Sequence, residues 1–296
     1  MSVTSSLRKQ PYSSGVAWLA ACILAALASS CSAQSTGLPV GWKEAQPPAE
    51  QIRDGNNLAC ANYSRHEWKV ISDPSGLQVL DEGGKSRETP VFPSHFVLSK
   101  EMRGRAVTLK TSDGWLVGFD AGEFGGGLWW SSDDGRTTKR LLEENVHALV
   151  TRNGIDLVLT GLAHMDSDDG AIYAYHPGEA GASGTMLRVA DLNSSPGAAS
   201  LSEDGTLFVV THKSILRYGT NGELEPLYTN GAFGALYPNS IVPLKNGRLF
   251  VGMRFYVLEL IPEEHNLYSA RWFVTSECRS MTVRGFDCVC TAGKGR

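Results

Sequence analysis

Several residue types suited to acid–base, ligand-binding or metal chemistry fall in short polar breaks between apolar runs. Asp120 and Glu123 lie in "FDAGEFGGG", His164 and Asp166 in "TGLAHMDSDDG", His212 in "THKS" and Arg254 in "MRFY". Asn193, Tyr237 and Asn239 stand in separate connectors. Each residue also has a plainer use. Asp120 can cap the turn before Gly122, either histidine can be a hydrogen-bonded packing residue, and Arg254 can bridge two elements by pairing with a carboxylate such as Asp120. Glu123 is harder to explain structurally, because the neighbouring glycines let backbone approach a ligand closely. "DSDDG" (166–170) has the acidic density of a calcium loop but lacks the alternating ligand series and closing Glu of an EF-hand, so it reads as a solvated turn. The chain contains no HExxH and no GxSxG. "GGKS" (83–86) is not a phosphate-binding loop, because Val79 occupies the position of the first required glycine. No catalytic residue is therefore assigned. Asp120, Glu123, His164, Asp166, His212, Asn239 and Arg254 are the expected ligand-binding residues.

The elements that must position them repeat. "SDGWLVGFD" (112–120), "RNGIDLVLTG" (152–161), "EDGTLFVVT" (203–211) and "KNGRLFVGM" (245–253) share one phrase, a turn ending in glycine followed by a β-rich run. The turn glycines 114, 154, 205 and 247 are 40, 51 and 42 residues apart. Asp-Gly and Asn-Gly are strong hairpin signals because their backbone takes positive φ readily. Each phrase has a strand before it ("AVTLKT", "VHALVT", "GAASLS", "NSIVPL") and another after it ("GGLWWSS", "GAIYAYH", "SILRYG", "FYVLEL"). A more polar fourth strand follows, such as "TTKRLLE" or "ELEPLY". Four antiparallel strands, A to D, in 40–50 residues are the sequence form of a β-propeller blade. A β-sandwich gives no reason for the repeated wording. The expected fold is all-β: a single propeller with five visible blades, the first a degenerate one in 62–100 ("HEWKVI", "LQVLDE", "TPVFPS"), and a sixth if the termini build one between them. In such a meander the B–C and D–A loops emerge on one face. That face carries all the polar breaks named above, whereas the A–B turns opposite are plain. Trp129 and Trp130 occupy adjacent positions of one strand, so one is expected between blades and the other partly open.

The N-terminus reads as an address. Arg8 and Lys9 precede the 13-residue apolar run "VAWLAACILAALA" (16–28), short for a membrane span but suited to a signal peptide. Cleavage after Ala33 would leave residues 34–60 as a lead-in and 61–296 as the propeller with a cysteine-containing tail. Alternatively "LASSC" makes Cys31 a lipidated first residue, with the signal ending at 30. The expected location is periplasmic or secreted, with a membrane contact only through an anchor at Cys31. Without the signal, 25 basic residues face 31 acidic ones, which argues against nucleic acid as a partner. A small molecule or an envelope protein is expected instead, with no cofactor. Cys60, Cys278, Cys288 and Cys290 flank a cysteine-free stretch, and in an oxidising compartment they are disulfide candidates that would tie the first blade to the tail. A zinc site is disfavoured because "CVC" lacks the usual spacing.

"YPNSIVPLKNGRLFVG" and "SPGAASLSEDGTLFVV" resemble the strand-turn-strand wording of NHL-type and SMP-30/gluconolactonase/strictosidine-synthase-like propellers over 106–262. Gly197 stands where those families open a strand with glycine, and Asn239 takes that place in the next blade. The resemblance implies the fold. It also implies an alternative activity, a divalent-metal-dependent hydrolase of lactones or esters, in which Glu123, Asn193 and Asn239 would imitate part of the metal-binding set.

Overall fold

The glycine turns adopt the backbone their residue types favour. Asn153 (φ 51°) and Gly154 (φ 79°) both take positive φ, forming the two-residue turn that pairs Arg152 with Ile155. The "EDG" and "KNG" turns are longer loops, closed by Ser202 N–H to Thr206 O and Leu244 N–H to Arg248 O at 2.9 and 2.8 Å. These features come from a computed structural model that describes residues 38, 41–48, 61–62, 64, 66–83, 89–165, 167–179, 181–275, 281–283 and 286–288. All of them belong to one unit, residues 37–296. The proposed signal peptide, Cys31, Cys60, Asp166, Cys278 and Cys290 lie outside the described residues, and for Cys288 only the backbone is described.

Strand β1 (Trp42–Ala45) and the hairpin β2 (Trp68–Asp73)–β3 (Gly76–Asp81) precede four meanders. The first is β4 (Arg105–Lys110), β5 (Trp115–Asp120), β6 (Gly126–Ser131) and β7 (Thr138–Leu142). The second is β8 (Val146–Arg152), β9 (Ile155–His164), β10 (Ser167–His176) and β11 (Thr185–Asp191). The third is β12 (Pro196–Leu201), β13 (Leu207–Thr211), β14 (Ser214–Tyr218) and β15 (Leu224–Thr229). After the short helix α1 (Phe233–Leu236) comes the fourth: β16 (Ser240–Pro243), β17 (Leu249–Gly252), β18 (Val257–Pro262) and β19 (Tyr268–Thr275). A short pair, β20 (Met281–Val283) and β21 (Phe286–Cys288), ends the chain's described part. Each meander is an antiparallel four-stranded sheet in sequence order, and β1 adds a fifth strand to the last by pairing with β19. This is a β-propeller of four-stranded blades.

Second strands such as β13 and β17 are buried at every position, which is why "LFVV" and "LFVG" are unbroken apolar runs rather than alternating ones. Blades stack on both of their faces, as the core layers show. Trp130 and Leu128 meet Val158 and Tyr173 of the second blade, Leu157 and Ile172 meet Leu207 and Val209 of the third, and Phe208 and Val210 meet Leu249 and Trp272 of the fourth. The fifth position is taken by residues 66–83 and 89–103. The β2–β3 hairpin packs Val70 and Val79 on Phe250 and Val257 of the fourth blade. The coil 91–103 packs Phe92, Phe96 and Met102 on Phe119 and Trp129 of the first.

Three expectations change here. "TPVFPS" forms no strand, because Pro90 and Pro93 offer no N–H to a ladder. Trp129 and Trp130 are both buried, at 5% and 1% exposure, since the coil covers the face on which Trp129 would have been open. The first A–B turn is not plain either: Asp113 is buried and accepts hydrogen bonds from the Tyr175 hydroxyl (2.6 Å), the Thr111 hydroxyl (2.7 Å) and Gly178 N–H (2.8 Å), clasping the first blade to the second.

The added strand β1 is fixed by charge. Buried Glu259 on β18 pairs with Arg248 and with Arg271 on β19, and Arg271 reaches Glu44 on β1 at 2.7 Å.

Candidate functional site

The first residues of the inner strands and the turns between second and third strands meet at one end of the ring. There they line a cavity of about 300 Å³. Glu67 precedes β2; Arg105 and Asp120 come from the first blade, His147 and Gly161 from the second, Ser195 and His212 from the third, and Tyr237, Asn239 and Arg254 from the fourth. All five units contribute.

His147 gets there through a backbone irregularity. Val146 pairs with Thr160 and Ala148 with Leu159, so His147 is the extra residue of a β-bulge, which re-aims its side chain. Its Nε2 lies 2.9 Å from the carbonyl oxygen of Gly161, and its Nδ1 lies 3.5 Å from Asp120 Oδ2. Burial lowers the His147 pKa; Asp120 opposes that shift without reversing it. The neutral ring must then keep its proton on Nε2, because a carbonyl oxygen only accepts. Ser195 Oγ is 3.4 Å from the same nitrogen. Ser195, His147 and Asp120 thus stand in the order of a nucleophilic triad, yet Nε2 is donating to Gly161 and cannot remove the serine proton. Arg105 completes this side, donating to His147 O at 2.8 Å and lying 3.8 Å from Asp120 Oδ2. Arg105, not Arg254, is the arginine that meets Asp120.

The guanidinium carbon of Arg254 sits over the Tyr237 ring, 4.2 Å from its centroid. Its Nη1 donates to Ala61 O at 3.3 Å, and Tyr237 donates to Asn62 Oδ1 at 2.9 Å. Tyr237 itself takes a left-handed backbone (φ 53°) at the end of α1. Asn239 is held by a relay: Val70 N–H donates to Ser240 Oγ (2.9 Å), and Ser240 Oγ–H to Asn239 Oδ1 (2.8 Å). The relay fixes the amide, and Asn239 Nδ2 is buried with no partner among the described residues. Burial lowers the His212 pKa as well.

The "TGLAHMDSDDG" break is mostly not a loop. The ladder between β9 and β10 runs out to His164 and Ser167, and this extended hairpin forms one wall of the cavity through Gly161, Leu162 and Ala163. It is pinned on both sides. His164 Nε2 meets Glu123 of the first blade at 2.7 Å. Asp168 accepts from Ser195 N–H (2.7 Å) and pairs with Lys213 (2.8 Å) on the third. Burial would raise the Asp168 pKa, but these contacts outweigh it and hold the carboxyl below its ordinary value.

Of the expected binding residues, Asp120, His212, Asn239 and Arg254 line the cavity. Glu123 and His164 pair at its rim instead. Asn193 is exposed in a left-handed turn (φ 56°). Glu123, Asn193 and Asn239 do not form one ligand set, since only Asn239 of the three lines the cavity. Among the described residues no three His, Cys, Asp or Glu side chains gather as metal ligands. The three residues that the gluconolactonase-type resemblance offered as part of a metal-binding set are therefore not gathered as one. Glu67, Arg105, His147 and Ser195 were not anticipated. Glu67, Arg105 and Ser195 share one signal, a polar residue at or just before the start of an inner strand, whereas His147 is second in its strand.

No family model matches the chain and no curated protein does. Among solved structures it is similar to a streptogramin B lyase, at 16% identity over 77% of this chain and 72% of that one, with a TM-score of 0.37. A virginiamycin B lyase from Staphylococcus aureus matches at 14% identity over 73% and 94%, TM-score 0.30. A puromycin-hydrolyzing peptidase from Mycobacterium tuberculosis matches at 15% over 74% of this chain but only 36% of its own, TM-score 0.36. The propeller assignment rests on the sheet order, and likeness at this level carries no activity across.

Proposed function

We propose that this protein is an exported β-propeller that binds a small polar ligand in the cavity at the inner-strand end of the ring. The supporting observation is convergence: five consecutive structural units each place a polar side chain on one cavity of about 300 Å³, the lower end of ordinary ligand sites. Export rests on the charged, apolar and small-residue order of residues 1–33. The ligand-binding reading is tested by native mass spectrometry of protein purified without denaturation, followed by binding of the identified compound to Arg254→Ala and His212→Ala. The expected result is a bound species below about 300 Da that both variants lose while melting within a few degrees of the parent. A ligand-free parent that also binds nothing in a metabolite screen overturns the reading. Export is tested separately by fractionation and N-terminal sequencing: a mature start at Gln34 supports it, and full-length cytoplasmic protein rejects it.

A further inference from the structure

We propose that the wall formed by His212, Asn239 and Arg254 is a carboxylate subsite, so that the ligand is a small organic acid. This deepens the small-ligand reading and rests on it. The groups lining the cavity differ in unspent hydrogen-bonding capacity. Asp120 is met by Arg105, His147 and Gly122 N–H (3.0 Å), and Glu67, the β-bridge neighbour of Arg254, is engaged, as is Arg105. Arg254 has no carboxylate within ion-pair distance among the described residues. Among the described residues, only one of its guanidinium nitrogens, Nη1, is spent on protein oxygens, Ala61 O and Asn62 Oδ1. The guanidinium carbon sits over the Tyr237 ring, 4.2 Å from its centroid, a cation–π contact that holds the arginine head at the cavity, where its fork suits a planar partner. Asn239 Nδ2 is a buried donor without an acceptor among the described residues, costly unless something supplies one. The His212 ring makes no hydrogen bond to the described protein although it is largely buried. Kept neutral by that burial, it offers one N–H as well as one acceptor.

Arg254 and His212 therefore bring unspent donors to the cavity that Asn239 also lines, and of these only Arg254 carries a full positive charge. A monoanion with two in-plane oxygens matches this count. A phosphate dianion carries more charge than Arg254 alone matches, and the Glu67 and Asp120 carboxylates line the same cavity.

The test compares acetate, butyrate and benzoate with their primary amides and with inorganic phosphate, by saturation-transfer NMR and calorimetry on the mature protein. At least one acid is expected to bind about tenfold or more tightly than its amide. Arg254→Gln and the near-isosteric Asn239→Asp should each remove that preference, and Lys245→Gln in an opposite-face turn should keep it. Melting curves accompany each variant, and Arg254→Lys, which keeps the charge but not the fork, replaces Arg254→Gln if the latter unfolds. Amides binding as well as acids, or phosphate binding more tightly than any acid, overturns the carboxylate inference and leaves the small-ligand reading standing. No binding by any probe at millimolar concentration also overturns it. The native mass spectrum then decides whether the broader reading falls too.

Discussion

At the scale of single residues, the buried titratable groups fix a pH window. Burial raises the Asp113 carboxyl, but its bonds from Tyr175, Thr111 and Gly178 outweigh that and lower its pKa. Burial and then the contact with Asp113 raise the pKa of Tyr175. The Asp113 contribution is present above the unfolded carboxyl value of about 4 and lost as pH falls through the folded one; the Tyr175 contribution is present below about 10 and lost above it. His147 and His212 narrow the acid side, because burial makes the folded chain resist a proton that the unfolded chain accepts below about 6.5. The melting temperature should therefore decline between pH 7 and 5, and His212→Gln should flatten that decline; parallel profiles would reject the assignment. Asp113→Asn should cost about 2–3 kcal/mol in urea unfolding, and a loss below about 0.5 kcal/mol would mean the clasp contributes little. Residue types in polar breaks were enough to locate Asp120, His212, Asn239 and Arg254. His147 and Arg105 were not legible, because a bulge has no periodic signature and an arginine opening a strand looks like ordinary surface. Asp113 was hidden by its own turn motif, since an Asp-Gly pair reads the same whether or not its carboxylate is buried.

Among the elements, the β9–β10 hairpin connects the fold to the cavity. Gly161 and Gly170 are direct cross-strand partners. A Cβ on Gly161 would meet Asp169 O at 2.5 Å and Pro196 Cδ at 2.6 Å, and one on Gly170 would meet Ser194 O at 2.5 Å. The hairpin can lie against the start of the third blade only because both positions lack a side chain, and that approach brings Asp168 to Ser195 and Lys213. Gly161→Ala should push the hairpin outward at a cost of about 1–3 kcal/mol. It should also weaken ligand binding, because the wall formed by Leu162 and Ala163 moves with it. Unchanged affinity in a destabilised Gly161→Ala protein would separate the hairpin from the site. The four blades were legible strand by strand from the repeated turn-and-run phrase. The hairpin's length was not, because "HMDSDDG" is as polar as a loop, and the glycine pair that admits a strand there is indistinguishable in sequence from loop glycines.

For the whole molecule, ring integrity depends on its least regular part. Four positions are filled by four-stranded sheets, but the described residues 66–83 and 89–103 supply a two-stranded hairpin and a coil. The coil leaves Val91 and Val97 73% and 77% exposed, and the sequence hinted at the degenerate unit without revealing that its last segment would be proline-bound coil. The hairpin is joined to the fourth blade by Trp68 N–H to Met253 O (3.3 Å), by the Glu67–Arg254 bridge and by Val70 N–H to Ser240 Oγ (2.9 Å). Two of those residues, Glu67 and Arg254, also line the cavity, and Ser240 orients Asn239. The cavity lining and the attachment of the fifth unit therefore share the same few groups, and the proposed ligand site predicts that occupancy and attachment are coupled. Segments with few ladder bonds open most readily, so amide exchange should be fastest in 66–103 and slowest in β9, β13 and β17. A ligand seated against Asn239 and Arg254 stabilises the closed form by mass action and should slow exchange in 66–71 and 252–256 more than in the distant strands β6 and β7. Uniform slowing across all blades would show that the ring opens as one cooperative unit, and the proposed coupling between cavity and fifth unit would then be rejected.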